Sequence, residues 1–282
     1  MIKQLNKISA FMPPRVSTGI ASLDDFLGGG IVEGSAFLFA GVPGSGKSSL
    51  LMQLSENFAE QGRKVLYVSG EENFNQIKAR ANRLSANAPD IYLSDEIKLE
   101  ELFASIDSEN PKVIVIDSIQ MLTSNTLKSM AGSVSQTRYC LMELISKIKK
   151  ENRILFVIGH ATKSGLIAGL LTLQHMVDVL LYLIVNEDGT RTLLSKKNRF
   201  GETGKEWQAY MTPSGLKENP ESELGEVITK EVNQEQLDIL CSKGFFFSSA
   251  VKGNLGLIYE KIIGGRLPQD AKITISYKFP KL

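Results

Sequence analysis

Glycines, a lysine and a hydroxyl stand at one recognisable spacing in Gly41-Val42-Pro43-Gly44-Ser45-Gly46-Lys47-Ser48, which fits G-x-x-x-x-G-K-[ST]. The chemistry of that spacing is the grip of a polyphosphate. Glycines let backbone N–H groups curl round phosphate oxygens with no Cβ in the way. Residues 41–49 therefore read as the phosphate cradle of a nucleoside triphosphate site, with Ser49 in the helix that follows. Lys47 is expected to reach the β- and γ-phosphates, and the Ser48 hydroxyl to bind Mg2+.

Hydrolysis needs more: a carboxylate near the metal and a group that activates water. Asp117 follows Val113-Ile114-Val115-Ile116, a run apolar enough for a buried strand, and is expected in the Mg2+ shell. Capping of the next turn with Ser118 is the plainer alternative. A second apolar run, Val65-Leu66-Tyr67-Val68, leads into Ser69-Gly70-Glu71-Glu72. Either glutamate can polarise the attacking water, and both also suit the positive end of a helix. Spacing alone leaves open which one acts. His160, after Ile158-Gly159, suits a γ-phosphate contact or a cap. The cluster Lys196-Lys197-Asn198-Arg199-Phe200-Gly201 reads as a solvated turn or as cationic fingers on a neighbour's γ-phosphate. His175 lies in an apolar helical context and is assigned no role.

These residues need a frame that brings strand ends together. Apolar β-like runs occur at 36–40, 64–68, 113–116, 154–158 and 177–185, most without polar alternation, as strands buried on both faces require. Helical patterns lie near 47–60, 73–84, 97–107 and 133–150. The alternation predicts an α/β fold, a mostly parallel central sheet flanked by helices. Runs at 190–195 and 207–211 look like hairpin additions at the sheet edge. Residues 1–14 read as an arm or linker, 15–220 as the core, and 221–282 as a small α+β appendage containing Phe245-Phe246-Phe247 and a strand near 272–277.

Composition narrows the class. Lys+Arg 32 against Asp+Glu 31 gives a formal charge of +1, so polyanion binding must come from a local patch. Two cysteines, Cys140 and Cys241, support neither a disulfide framework nor a four-cysteine zinc site. No stretch approaches a membrane span, and the first twenty residues lack a signal-peptide pattern. A cytoplasmic protein without membrane partners is expected.

Several motifs in order resemble the RecA-type core of the bacterial RadA (Sms) family. They are Arg15-Val16-Ser17-Thr18-Gly19-Ile20, Leu27-Gly28-Gly29-Gly30-Ile31, the phosphate loop, Tyr67-Val68-Ser69-Gly70-Glu71-Glu72 and Asp117-Ser118-Ile119-Gln120. Gly132-Ser133-Val134-Ser135-Gln136, Gly159-His160, Ile167-Ala168-Gly169, His175-Met176-Val177-Asp178 and Lys197-Asn198-Arg199-Phe200-Gly201 continue the match. The resemblance implies a RecA-like ATPase using ATP and Mg2+ and assembling as a ring, a hexamer, on single-stranded or branched DNA. A recombinase or replicative helicase is the kind of protein partner implied. Glu71 takes the water-activating place, Asp117 the Mg2+-linked place and His160 the γ-phosphate-sensing place. Lys197 and Arg199 take the places that act in trans. Two central loops place DNA contacts at Lys128, Ser133, Gln136, Arg138 and Lys163.

The departures are informative. RadA carries an N-terminal four-cysteine zinc module that this sequence starts without, so no structural zinc is expected. The family's Lon-like C-terminal domain is far longer than residues 221–282. In the second loop, Leu170-Leu171 replaces Pro-Arg, which removes one phosphate contact and its share of salt-dependent affinity. Two other readings use the same residues: a KaiC-type ATPase switch acting on protein partners, and a nucleotide-stabilised scaffold.

Overall fold

The computed structural model describes residue 4 and residues 14–160, 170–218, 224–232 and 273–280. A short antiparallel clasp begins it: β1 (Arg15–Val16) pairs with β2 (Ile31–Val32), and helix α1 (Ala21–Leu27) lies between them in sequence. The main sheet then alternates with helices. Its first half comprises β3 (Ala36–Gly41), α2 (Lys47–Glu60), β4 (Val65–Ser69), α3 (Phe74–Arg83), β5 (Ile91–Ser94), α4 (Leu99–Glu109) and β6 (Val113–Asp117). Its second half comprises α5 (Val134–Glu151), β7 (Ile154–His160), α6 (Leu170–Gln174), β8 (Val179–Val185), β9 (Thr190–Asn198), β10 (Glu206–Thr212) and β11 (Gly215–Glu218).

The nine strands run in the order β11-β10-β9-β8-β3-β7-β6-β4-β5. From β8 to β5 all neighbours are parallel, while β9, β10 and β11 add antiparallel pairs at one side. The fold is thus an α/β sandwich with its sheet covered on both faces. Alternation within β3 shows why. Phe37 and Phe39 enter one apolar layer with α1, α2 and α3, and Ala36, Leu38 and Ala40 enter the other with α4 and α5. Phe156 of β7 centres the first layer, with its ring 5.2 Å from Phe37, 6.0 Å from Phe39 and 5.7 Å from Phe58. A buried aromatic in such a cluster contributes roughly 3–5 kcal/mol when compared with alanine.

Helix starts follow local chemistry. Asn73 and Gln76 form a reciprocal capping box at α3, and the Ser133 hydroxyl accepts from the Gln136 N–H at α5. Strands β5 and β11 and helix α1 were not expected from the sequence. Ile91-Tyr92-Leu93-Ser94 is a short, half-exposed edge strand, and four residues carry little periodic signal.

The chain divides into two compact units, Met1–Asn219 and Pro220–Leu282. In the second, β12 (Leu224–Val232) pairs antiparallel with β13 (Ile273–Pro280), with Ile228 opposite Tyr277. The first of these strands lies within Glu218 to Glu235, which reads from its composition as polar and acidic. Residues 245–247 lie outside the described residues.

Candidate active site

Register assembles the site. Parallel pairing sets Gly41 opposite His160 on β3 and β7, and Ser69 opposite Asp117 on β4 and β6. The carboxyl ends of the four central strands therefore share one edge, and the loops leaving them carry Lys47, Glu71, Asp117 and His160 to one cleft of 760 Å³. Ser48 and Ser49 at the start of α2 also line it, as do Pro43, Gly44 and Gly46. Gly41, Val42 and Ser45 complete the loop.

Two glycines are dictated by backbone shape or by contact. Gly46 has φ 109°, a conformation that L side chains rarely adopt. A Cβ on Gly70 would lie 2.7 Å from both Ile97 Cγ2 and Met121 Cβ, so the Ser69-Gly70-Glu71 turn passes hard against its neighbours. That close passage fixes where Glu71 emerges.

Lys47 is 4 % exposed. Its Nζ donates to Gly41 O and Val42 O, both at 2.9 Å, and more weakly to Ser45 Oγ at 3.4 Å. Burial lowers its pKa, and the charges of Asp117 and Glu71 work the other way. An ammonium folded onto its own loop is a cation waiting for an anion, and a phosphate chain supplies one. The loop donors therefore fit a polyphosphate. The metal fit is of a particular kind. No cluster of three or more His, Cys, Asp or Glu able to hold an ion occurs among the described residues. Ser48 and Asp117 suit Mg2+ held mainly by substrate oxygens and water.

The two glutamates have separated. Glu71 Oε1 accepts from Ser118 Oγ at 2.5 Å and lies 3.0 Å from His160 Nε2. Glu72 turns instead to Arg80 Nη1, at 2.5 Å. Glu71 is thus the carboxylate held beside Asp117 and His160. The second ring nitrogen of His160, Nδ1, is buried without a partner among the described residues. Asp117 is buried and accepts from the Tyr67 hydroxyl at 2.7 Å. Burial, with the Asp117 charge next, raises the Tyr67 pKa well above its usual range, so the hydroxyl stays a donor.

Arg80, Tyr67 and Arg191 are site residues the sequence reading missed. Arg191 Nε donates to Ser45 O at 3.0 Å and braces the phosphate loop from β9. Tyr67 was legible only as one more apolar strand residue. Arg80 had a signal: an arginine on the helix that directly follows a glutamate pair.

Lys197 and Arg199 are at the other edge. Leu180 faces Lys197, Val179 faces Asn198, and Val179 also faces Phe37 near the start of β3. The pentad therefore lies by the amino end of the strand whose carboxyl end bears the phosphate loop. Its members have different duties. Asn198 Nδ2 donates to Leu27 O at 3.3 Å, and Arg15 bridges Gly30 O at 3.0 Å and Phe200 O at 2.5 Å. The Arg15, Leu27–Gly30 and Phe200 motifs are one packed unit. Lys197 Nζ donates to Gln174 O at 2.9 Å and Val177 O at 2.7 Å, where α6 ends. Burial and then Arg199 lower its pKa. Arg199 is half exposed and pairs with buried Asp178 at 3.1 Å.

The expected DNA contacts divide too. Lys128 and Arg138 are exposed. Ser133 is occupied as the α5 cap. Gln136 is buried: its Oε1 accepts from Ser124 N–H, and its Nε2 donates to Ser124 O, Leu127 O and Ser129 O. It shapes the loop from within and presents no free amide to a ligand. Lys163 and the Ile167-Ala168-Gly169 motif lie outside the described residues.

A family model, the KaiC ATPase, matches residues 16–110. The DNA repair protein RadA of Campylobacter jejuni is 48 % identical over 205 residues, 72 % of this chain and 46 % of the relative. That of Bacillus subtilis is 41 % identical over 215 residues, 76 % of this chain and 47 % of the relative. Over the matched residues the chain is similar to the core of these RadA proteins. It spans about half the length of the curated relatives it matches. A KaiC-like protein of Pyrococcus horikoshii shares the fold, with a TM-score of 0.62 and 21 % identity over 74 % of this chain and all of that one. The described core is thus RecA-like in architecture. No helix among its described residues is long and apolar enough to cross a membrane.

Proposed function

We propose that this chain is an ATP hydrolase whose site is completed by the next copy in a ring, and that it acts on single-stranded or branched DNA in recombinational repair. The observation that carries the reading is the convergence of Lys47, Ser48, Asp117, Glu71 and His160 on one strand edge while Arg199 stands on the opposite one. Lys47 and the loop N–H groups hold the phosphates. Ser48 and Asp117 would hold Mg2+, which would neutralise phosphate charge when bound. Glu71, oriented by Ser118 and His160, takes a proton from water. Arg199 of a neighbour adds positive charge where the transition state is negative, a role that commonly accounts for about a thousandfold or more in rate.

Six-fold symmetry is part of the same proposal, taken from the RadA resemblance: a head-to-tail contact between opposite edges makes a ring where its rotation closes. DNA is supported by exposed Lys128 and Arg138 and by the name that the relatives carry. Residues 221–282 are proposed as an accessory unit, and the cytoplasm as the compartment.

The decisive experiment mixes two inactive proteins. Glu71→Gln should bind ATP and turn over about a hundredfold slower or worse. Arg199→Ala should do likewise. Equimolar mixing should recover activity, because some interfaces then pair an intact Glu71 with an intact Arg199. Absence of recovery in co-assembled rings would overturn the shared site.

Buried Gln136 favours one competing reading, a KaiC-type switch that drives protein partners without DNA. ATP turnover with and without single-stranded DNA across salt concentrations separates the two. Stimulation that fades with salt supports the DNA reading.

A further inference from the structure

Arg80 enters the cleft from α3, and none of the hydrolytic steps gives it a task. Its side chain is 12 % exposed, and its Nε is buried without a partner among the described residues. Nη1 pairs with Glu72 Oε2 at 2.5 Å. Nη2 donates to the Tyr67 hydroxyl at 3.3 Å and lies 3.9 Å from Asp117 Oδ2. The Tyr67 hydroxyl in turn donates to that same Asp117 oxygen. A continuous chain therefore runs from Glu72 through Arg80 and Tyr67 to Asp117.

Three carboxylates crowd this edge: Glu71, Glu72 and Asp117 all line the cleft. A triphosphate brings more negative charge to the same place. Glu71 and Glu72 are adjacent in sequence and chemically identical, so something must decide which one faces Ser118 and His160. A guanidinium can do so permanently, because it keeps its charge and offers donors on two sides. Here one side takes Glu72 and the other supports Tyr67. Asp117 Oδ2 is thereby occupied, and Oδ1 has no hydrogen-bond partner among the described residues.

We propose that Arg80 is a positioning residue that sorts the two glutamates: it draws Glu72 out of the water position and, through Tyr67, fixes the Asp117 carboxylate for the metal. This rests on the hydrolase reading. Arg80 touches neither the reacting atoms nor the substrate in this role. It acts through Glu72, Tyr67 and Asp117.

The test uses the full chain and two readouts. The first is the Mg2+ concentration needed for half-maximal binding of a fluorescent, non-hydrolysable ATP analogue. The second is kcat and KM for ATP. Arg80→Gln should raise the Mg2+ requirement by about tenfold, the effect of losing an outer-shell partner of a metal ligand. It should lower kcat by about tenfold with little change in KM. Adding Glu72→Gln to Arg80→Gln should restore most of kcat, since no second carboxylate is left to sort. Tyr67→Phe should reproduce the Mg2+ defect alone. Should Arg80→Gln lose its cooperative melting, Arg80→Lys and Tyr67→Phe carry the same comparison. Unchanged Mg2+ dependence in a folded variant would overturn the proposal. So would a double variant as slow as Arg80→Gln alone. A wild-type chain that binds the analogue without hydrolysing ATP would sink the hydrolase reading, while the Mg2+ titration would still decide the placement of Asp117.

Discussion

The two edges of the sheet carry charge in opposite styles. At the carboxyl edge, Lys47, Glu71, Glu72, Arg80, Asp117 and His160 hold one another within a single cleft. At the amino edge, Lys197 is spent on carbonyls and Arg199 stands half exposed with buried Asp178 behind it. The first edge is a network that positions its own members. The second is a presentation surface: one group locked, one group offered. A site built from the first edge alone can hold phosphate and aim water. Its basic residues are already engaged, Lys47 with its own loop, Arg80 with Glu72 and Arg83 with Pro213 O. The difference teaches that, in the proposed shared site, the phosphate loop and the basic pentad would be complementary rather than redundant.

Several substitutions break or sharpen that contrast. The largest effect is expected from Lys47→Ala, which should weaken binding of a fluorescent ATP analogue by at least about a thousandfold and abolish turnover with it. Arg199→Ala should keep analogue binding within about twofold and cut kcat by about a thousandfold. Full turnover by Arg199→Ala in a strictly monomeric preparation would erase the distinction between the edges. Asp178→Asn should come next, at about tenfold in kcat, because Arg199 stays charged but loses its ionic anchor. It should also lower the melting temperature, since Asp178 accepts from the Ala36 N–H and from Lys149 as well. The smallest effect is expected from Lys128→Ala or Arg138→Ala. Each should flatten the log–log salt dependence of single-strand binding by about 0.7, read by fluorescence anisotropy, and leave ATP binding untouched.

The cleft was legible wherever local sequence dictates position. Lys47, Ser48 and Asp117 follow from a loop motif and a strand end, and the buried strands from unbroken apolar runs. The choice between Glu71 and Glu72 was not legible, because it depends on a side chain from α3 that sequence spacing does not place. Gln136 failed for a related reason. A polar residue in the first turn of a helix reads as exposed, yet here its amide satisfies four backbone groups. Strand β5 and helix α1 were too short to show a period. The pentad was recognised, but only the structure divides it: Asn198 and Phe200 belong to packing, Lys197 to the end of α6, and Arg199 to the surface.

The Asp178 anchor has a mechanical consequence. Its Oδ2 takes the N–H of Ala36, the first residue of β3, while its Oδ1 takes Arg199. The last residue of β3 is Gly41, where the phosphate loop begins. Six residues of buried strand, about 17 Å at the usual rise, therefore join the phosphate loop to the Asp178–Arg199 pair. Such a strut has little slack. In the proposed ring, a displacement of the loop that shifts β3 along its axis would reach Arg199 at the far end, and through it the neighbouring copy.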